Sequence, residues 1–110
     1  MTKIISIAID AMGGDDSPDK IIKGIKFFLD INKSKNDFRL NIFGREDQIK
    51  NHLKKYDINS DLIKIFDTKN FVSDNEKPLT AVKNSKNTSM WNCIQHQLEG
   101  KSDISLSAGN

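Results

Sequence analysis

A short apolar run that ends abruptly on acids and glycines constrains this chain more than anything else in it. Ile4-Ile5-Ser6-Ile7-Ala8-Ile9 is β-branched and almost continuous, and it stops at Asp10-Ala11-Met12-Gly13-Gly14-Asp15-Asp16. A run of that kind, too short for a helix, suits a strand covered on both faces, as in a parallel sheet. The acids and glycines after it form a turn. Ser17-Pro18 then reads as an N-cap followed by proline at the first helical position. Ile21, Ile22, Ile25, Phe28 and Leu29 recur at helical spacing, which predicts a helix of about three turns.

The same alternation continues. Phe38-Arg39-Leu40-Asn41-Ile42-Phe43 predicts a second strand closed by Gly44, and Ile49, Leu53 and Tyr56 mark one stripe of a polar second helix. Glu46 and Lys50 add an i,i+4 pair to it. Leu62 to Phe66 predicts a third strand. The polar stretch from Lys69 to Pro78 reads as a long loop, and Leu79 to Val82 as a helical start that breaks in the polar residues Lys83 to Ser89. Thr88 or Ser89 should cap a further helix, with Met90, Ile94 and Leu98 on its buried face and Gly100 ending it. Cys93 and Trp91 belong to its packing. Ile104 and Leu106 predict a fourth strand, followed by Ser107-Ala108-Gly109-Asn110. Strand and helix alternating in this way specify βαβ units and a Rossmann-like parallel sheet with flanking helices. After the fourth strand a small-residue loop should open another helix, so the sheet reads as truncated there.

Composition narrows the function. Seventeen basic and fifteen acidic groups leave a net charge of +2, which argues against a dedicated nucleic-acid binder. Only Arg39 and Arg45 can make bidentate contacts. No apolar stretch approaches the roughly 20 residues of a bilayer span, and the first residues lack the long apolar segment of a signal peptide. A single cysteine fits a reducing cytosol. His52 and His96 have no partners at metal-ligand spacing and read as solvated, so no metal or other cofactor is expected.

Ligands of open α/β sheets sit beyond the carboxyl ends of the strands, and three polar clusters fall there. Asp10 with Gly13, Gly14 and Asp15 follows the first strand. Adjacent glycines let backbone N–H groups approach an anion, and a helix N-terminus adds positive dipole. A plain strand-to-helix turn would use the same residues, and Asp15 and Asp16 repel phosphate unless they hold a cation. The second cluster is Lys83, Lys86, Thr88 and Ser89, which could hold phosphate or form a solvated helix junction. The third is Ser107-Ala108-Gly109-Asn110, with hydrogen-bonding groups at a point of close approach. No G-x-G-x-x-G, Walker A or G-x-S-x-G pattern is present.

Read in order, these clusters resemble the PlsX family of phosphate acyltransferases. Ile7 to Asp15 is similar to the family's opening strand and loop. Glu76-Lys77-Pro78, Ala81-Val82-Lys83 and Lys86-Asn87-Thr88-Ser89-Met90 resemble its middle block, where Thr88 replaces the usual serine. Ser107-Ala108-Gly109-Asn110 resembles the start of its S-A-G-N-T-G loop. Members are about three times as long as this chain, so the resemblance implies that residues 1–110 are the incomplete N-terminal part of a single α/β acyltransferase domain. It implies a fold like that of phosphotransacetylases and isopropylmalate dehydrogenases. It further implies transfer of a long-chain acyl group from acyl-carrier protein to inorganic phosphate, giving acyl phosphate for bacterial phospholipid synthesis. A homodimer, cytoplasmic and peripheral to the inner membrane face, is implied for the intact family. Mapped onto this sequence, Gly13, Gly14, Lys83, Lys86, Ser89, Ser107, Gly109 and Asn110 become the phosphate or acyl-phosphate cradle. Asp10 and Asp15 become the residues that orient the loop.

Two other functions fit fewer of these features. One is an inactive remnant or small anion-binding α/β module without catalysis, which the end of the sequence inside a motif favours. The other is a generic nucleotide-binding domain, which the missing G-x-G-x-x-G and the lack of an acidic residue closing the second strand disfavour.

Overall fold

The computed structural model describes residues 3–68 and 88–108. Four parallel strands, β1 (Ile5–Asp10), β2 (Phe38–Gly44), β3 (Ile63–Asp67) and β4 (Ile104–Ser107), form one sheet in the order β3-β2-β1-β4. The helices are α1 (Asp19–Ile31), α2 (Glu46–Lys55) and α3 (Ser89–Leu98). The sheet is therefore the Rossmann-like arrangement that the alternation of runs predicts. The expected loop over 69–78 and helical start at 79–82 lie outside the described residues.

Register explains why the opening run tolerates no charge before its last residue. Ile7 pairs with Leu40 and Ile9 with Ile42, so these side chains share one face. There they meet Ile22 and Ile25 of α1 and Ile49 of α2 in the larger core. Ala8 and Phe43 point to the other face and pack with Cys93 of α3. β1 is thus covered on both sides by different helices, with isoleucines at one parity and the small Ser6 and Ala8 before Asp10 at the other. An acid–base knot ties α1 to α2, where Asp19 accepts from Lys55 Nζ and Tyr56 Oη, each at 2.8 Å. Hydrogen bonding to Lys55 leads the effects that hold the Asp19 carboxyl below its usual range.

Two helix details depart from expectation. The helix of Asp19–Ile31 begins one residue later than the Ser-Pro signal predicts, with Pro18 at the cap position and no side-chain cap. The Ser17 hydroxyl instead donates to the Gly13 carbonyl, holding the preceding loop. In α3 the expected buried stripe faces outward, with Ile94 45% and Leu98 75% exposed. Ser89 and Cys93 are the buried residues. Small side chains let the helix lie close against Ala8, and the larger apolar residues fall on the outside. The termini of α3 do follow the sequence. Thr88 Oγ1 accepts from Trp91 N–H at 3.1 Å, and Gly100 sits at φ +77° just past the end, where a left-handed residue stops a helix.

Burial leads the effects that push the Cys93 thiol up to about 11. At pH 8 the folded chain should therefore react with a disulfide reagent about a hundredfold more slowly than the urea-unfolded chain, because the thiolate is the reactive species. Equal rates in a stopped-flow comparison would mean that α3 does not cover this face.

Candidate functional site

Chain order turns around β1. The path runs outward from β1 to β2 and β3, then returns to place β4 on the other side of β1. The crevice beyond the carboxyl ends of β1 and β4 is therefore the switch point where sheets of this type bind ligands.

Asp10, the last residue of β1, occupies that point and is only 2% exposed. Its Oδ1 accepts from Met12 N–H at 3.0 Å, an Asx-type turn that bends the chain out of the sheet. The same oxygen accepts from Ser89 Oγ at 2.6 Å, at the first residue of α3. Oδ2 accepts from Ser107 Oγ at 2.8 Å, at the end of β4. One carboxylate thus holds together the β1 loop, the start of α3 and the end of β4. The position suits a carboxylate, because the N-terminus of a helix favours negative charge.

The loop that follows is drawn in as tightly. Gly13 is buried. Gly14 has φ +85°, and a Cβ there would lie 3.0 Å from the Ala108 carbonyl oxygen and 3.1 Å from its Cβ. Both glycine properties are used at once, the left-handed backbone and the absence of a side chain. Of the expected site residues, Asp10, Gly13, Gly14, Ser89 and Ser107 converge on this crevice. Asp15 is exposed in the loop. Lys83, Lys86, Gly109 and Asn110 lie outside the described residues.

The Asp10 connection to both serines is the feature that residue spacing does not reveal, since its partners are 79 and 97 positions away. A signal exists all the same. A carboxylate ending a strand buried on both faces must find donors, and hydroxyls lie in the two other clusters at the same sheet edge. Each serine hydroxyl directs its one hydrogen to Asp10, so these side chains fix the crevice walls.

On the same face of the sheet His96 departs from the expected solvated state. Its ring packs edge-on against Phe43 and lies 4.9 Å from Phe66, and those two phenyl rings stack at 4.7 Å. Asn41 Nδ2 donates to Ser102 Oγ at 3.0 Å, which leaves the Ser102 hydroxyl hydrogen for His96 Nδ1 at 2.7 Å. Desolvation, followed by Lys101, holds this imidazole below its ordinary pKa. The unfolded chain therefore binds the proton more readily. Stability should fall as the pH drops below about 6.5, the unperturbed histidine value. Urea midpoints measured between pH 7.5 and 5 should show this loss in the wild type and a flatter profile in His96→Gln.

Among the described residues no cluster of three or more His, Cys, Asp or Glu could hold a metal ion. No helix among them is long and apolar enough to cross a membrane.

Residues 5–110 match the family model described as fatty acid synthesis protein. A phosphate acyltransferase of Pelagibacter ubique is 46% identical over 110 residues, covering all of this chain and 32% of the relative. Those of Clostridium acetobutylicum and Ehrlichia canis are each 38% identical, covering 94% and 97% of this chain and 30% and 32% of the relatives. The chain spans about a third of the length of the curated relatives it matches. With the match running through the Asp10 turn, the start of α3 and the end of β4, this chain belongs to the fatty acid synthesis protein family.

Proposed function

We propose that residues 1–110 are the N-terminal part of an acyltransferase domain and supply the phosphate-binding side of its site. The reaction is transfer of a long-chain acyl group from acyl-carrier protein to inorganic phosphate. The observation that carries this is the clamp at the switch point, where Asp10 joins the glycine loop to Ser89 and Ser107. The names of the relatives support the choice of phosphate as acceptor.

A phosphate oxygen attacks the thioester carbonyl carbon, the C–S bond breaks, and the phosphate proton ends on the carrier thiol. Acyl phosphate and free carrier protein result, with no covalent enzyme intermediate. What the protein must supply is position and charge stabilisation. Backbone N–H groups of Gly13 and Gly14 meet the phosphate, Lys83 or Lys86 offsets its charge, and Gly109 and Asn110 approach the acyl phosphate. Ser89 and Ser107 line the crevice, and Asp10 holds both in place. Asp15 orients the loop from outside. The intact protein works as a homodimer in the cytoplasm, peripheral to the inner membrane face.

The test is titration of the 110-residue chain with inorganic phosphate, followed by an assay for acyl phosphate with palmitoyl-carrier protein. The intact Pelagibacter relative serves as the positive control. Saturable phosphate binding lost in Gly14→Val supports the cradle, and turnover supports the whole proposal. Phosphate binding without turnover supports the phosphate side alone and leaves the acyl side to the rest of the domain, while absence of phosphate binding would refute the cradle. Binding of NAD or ATP in place of phosphate would refute the cradle.

A further inference from the structure

The two faces of the sheet are unlike. On the α1 face the central strands present Ile7, Ile9, Leu40 and Ile42, all apolar. On the α3 face, register sets Ser6 beside Arg39 and Asn41 beside Lys64, ahead of Phe43 and Phe66. The ten-residue α3 packs over the apolar end of that face, through Cys93 and His96. The polar end is left as a groove of about 820 Å³ that reaches across to Lys101, just past α3. Three permanent cations, Arg39, Lys64 and Lys101, line it against one carboxylate, Asp61. Two acids close by are already engaged. Glu99 pairs with Lys101 at 3.4 Å, and Asp103 Oδ2 accepts from Ser6 N–H at 2.8 Å. A cleft lined mostly by one sign of charge focuses its field on the space within and concentrates counter-ions there.

His96 lines the same groove and its ring is held in one state. The Ser102 hydroxyl donates to Nδ1, so the neutral ring carries its proton on Nε2. Nε2 has no hydrogen-bond partner among the described residues and adds a neutral donor to the three cations. Lys101 and Lys64 both reinforce the burial that disfavours His96 protonation, with Glu99 opposing, which registers the positive field at this point. Arg39 is anchored by Nη1, which donates to the Asn36 and Phe38 carbonyls. Phe66 supplies an apolar surface beside these groups, with Lys64 Nζ 5.1 Å and the His96 ring 4.9 Å from its centroid.

We propose that this groove is a second ligand site, taking a small organic phosphate monoester whose dianion sits among Arg39, Lys64, Lys101 and His96 Nε2. A phosphate monoester is close to doubly charged at pH 7 and offers three acceptor oxygens, which a single carboxylate cannot match. Its organic body rests on Phe66. The site lies toward the amino ends of the strands, whereas Asp10 ends β1 at the other. It is therefore separate from the crevice, and the reading of the crevice does not enter it.

The 110-residue chain is titrated with phenyl phosphate at pH 7.5 and followed by NMR of its two histidine rings. The His96 signals should shift saturably and those of His52 should not. The bound dianion should raise the His96 titration midpoint by about half a pH unit. The double variant Lys64→Gln/Lys101→Gln should bind about tenfold more weakly, and Lys23→Gln on α1 should stay within about twofold of the wild type. Both groove lysines are exposed, so circular dichroism should show the fold unchanged. Benzoate, with one charge, should bind about tenfold more weakly than phenyl phosphate, and phenol should not bind. Shifts confined to the Gly13–Gly14 loop would overturn the proposal, as would a double variant that binds like the wild type. Equal affinity for benzoate would overturn the assignment to a phosphate monoester. The His96 readouts use the wild-type chain alone, so they stand whatever the substitutions do to folding. A failed acyl phosphate assay changes none of them.

Discussion

Asp10→Ala should lower the unfolding free energy of the chain by about 3–4 kcal/mol, read from urea denaturation followed by circular dichroism. Hydrogen bonds to a charged group are worth roughly 1.5–3 kcal/mol each, and three converge on this carboxylate. Alanine removes the acceptor and leaves the Ser89 hydroxyl buried with its hydrogen unmatched, a desolvation cost that relaxation recovers only in part. Asp10→Asn provides the internal comparison. Its Oδ1 can still accept from Met12 N–H and Ser89, while Nδ2 would face Ser107 Oγ, which can turn to accept. The expected loss is about 1–2 kcal/mol. Equal and small losses in both variants would show that the three segments are held together by something other than this side chain.

Gly14→Val should cost about 3 kcal/mol and weaken phosphate binding at least tenfold. A β-branched residue at φ +85° loses roughly 1–2 kcal/mol from backbone strain alone. Its Cβ would then press on the Ala108 carbonyl oxygen at 3.0 Å, so the loop after β1 must part from the end of β4. Gly24→Ala is the control for glycine replacement as such. Gly24 lies within α1 and a Cβ there meets nothing within 4 Å, so alanine should stabilise the chain by about 0.5–1 kcal/mol through helix propensity. Phosphate affinity unchanged in Gly14→Val would remove the glycine loop from the site while leaving the fold assignment untouched.

Most of the fold was legible because the signals are local. The apolar run at Ile4–Ile9, the stripe at Ile22 and Ile25, the Thr88 cap and the Gly100 stop each act within a few residues. Local signals failed where packing chose between two workable faces. In α3 both Met90–Ile94–Leu98 and Ser89–Cys93 recur at helical spacing, and closeness to Ala8 selected the smaller set. The same limit applies at His96, where stacking against Phe43 and Phe66 depends on residues 53 and 30 positions away. The site was legible as three clusters at one sheet edge. Their connection through Asp10 was not, because a hydrogen bond spanning most of the chain leaves no periodicity. Lys83, Lys86, Gly109 and Asn110 stay in the proposal on resemblance alone.

The central position of β1 bears on the order in which the molecule can be assembled during synthesis. β1 leaves the ribosome first, yet one of its two neighbours is β4, and Ser107 reaches Asp10 across 97 positions of chain. Until residue 107 emerges, Ile7 and Ile9 have only β2 beside them, and Asp10 lacks one of its three donors. Closing so long a loop is entropically slow to repay. At a synthesis rate of roughly 5–20 residues per second, the nascent sheet waits several seconds with an unpaired flank. During that interval a chaperone, or another nascent chain, competes for the same edge.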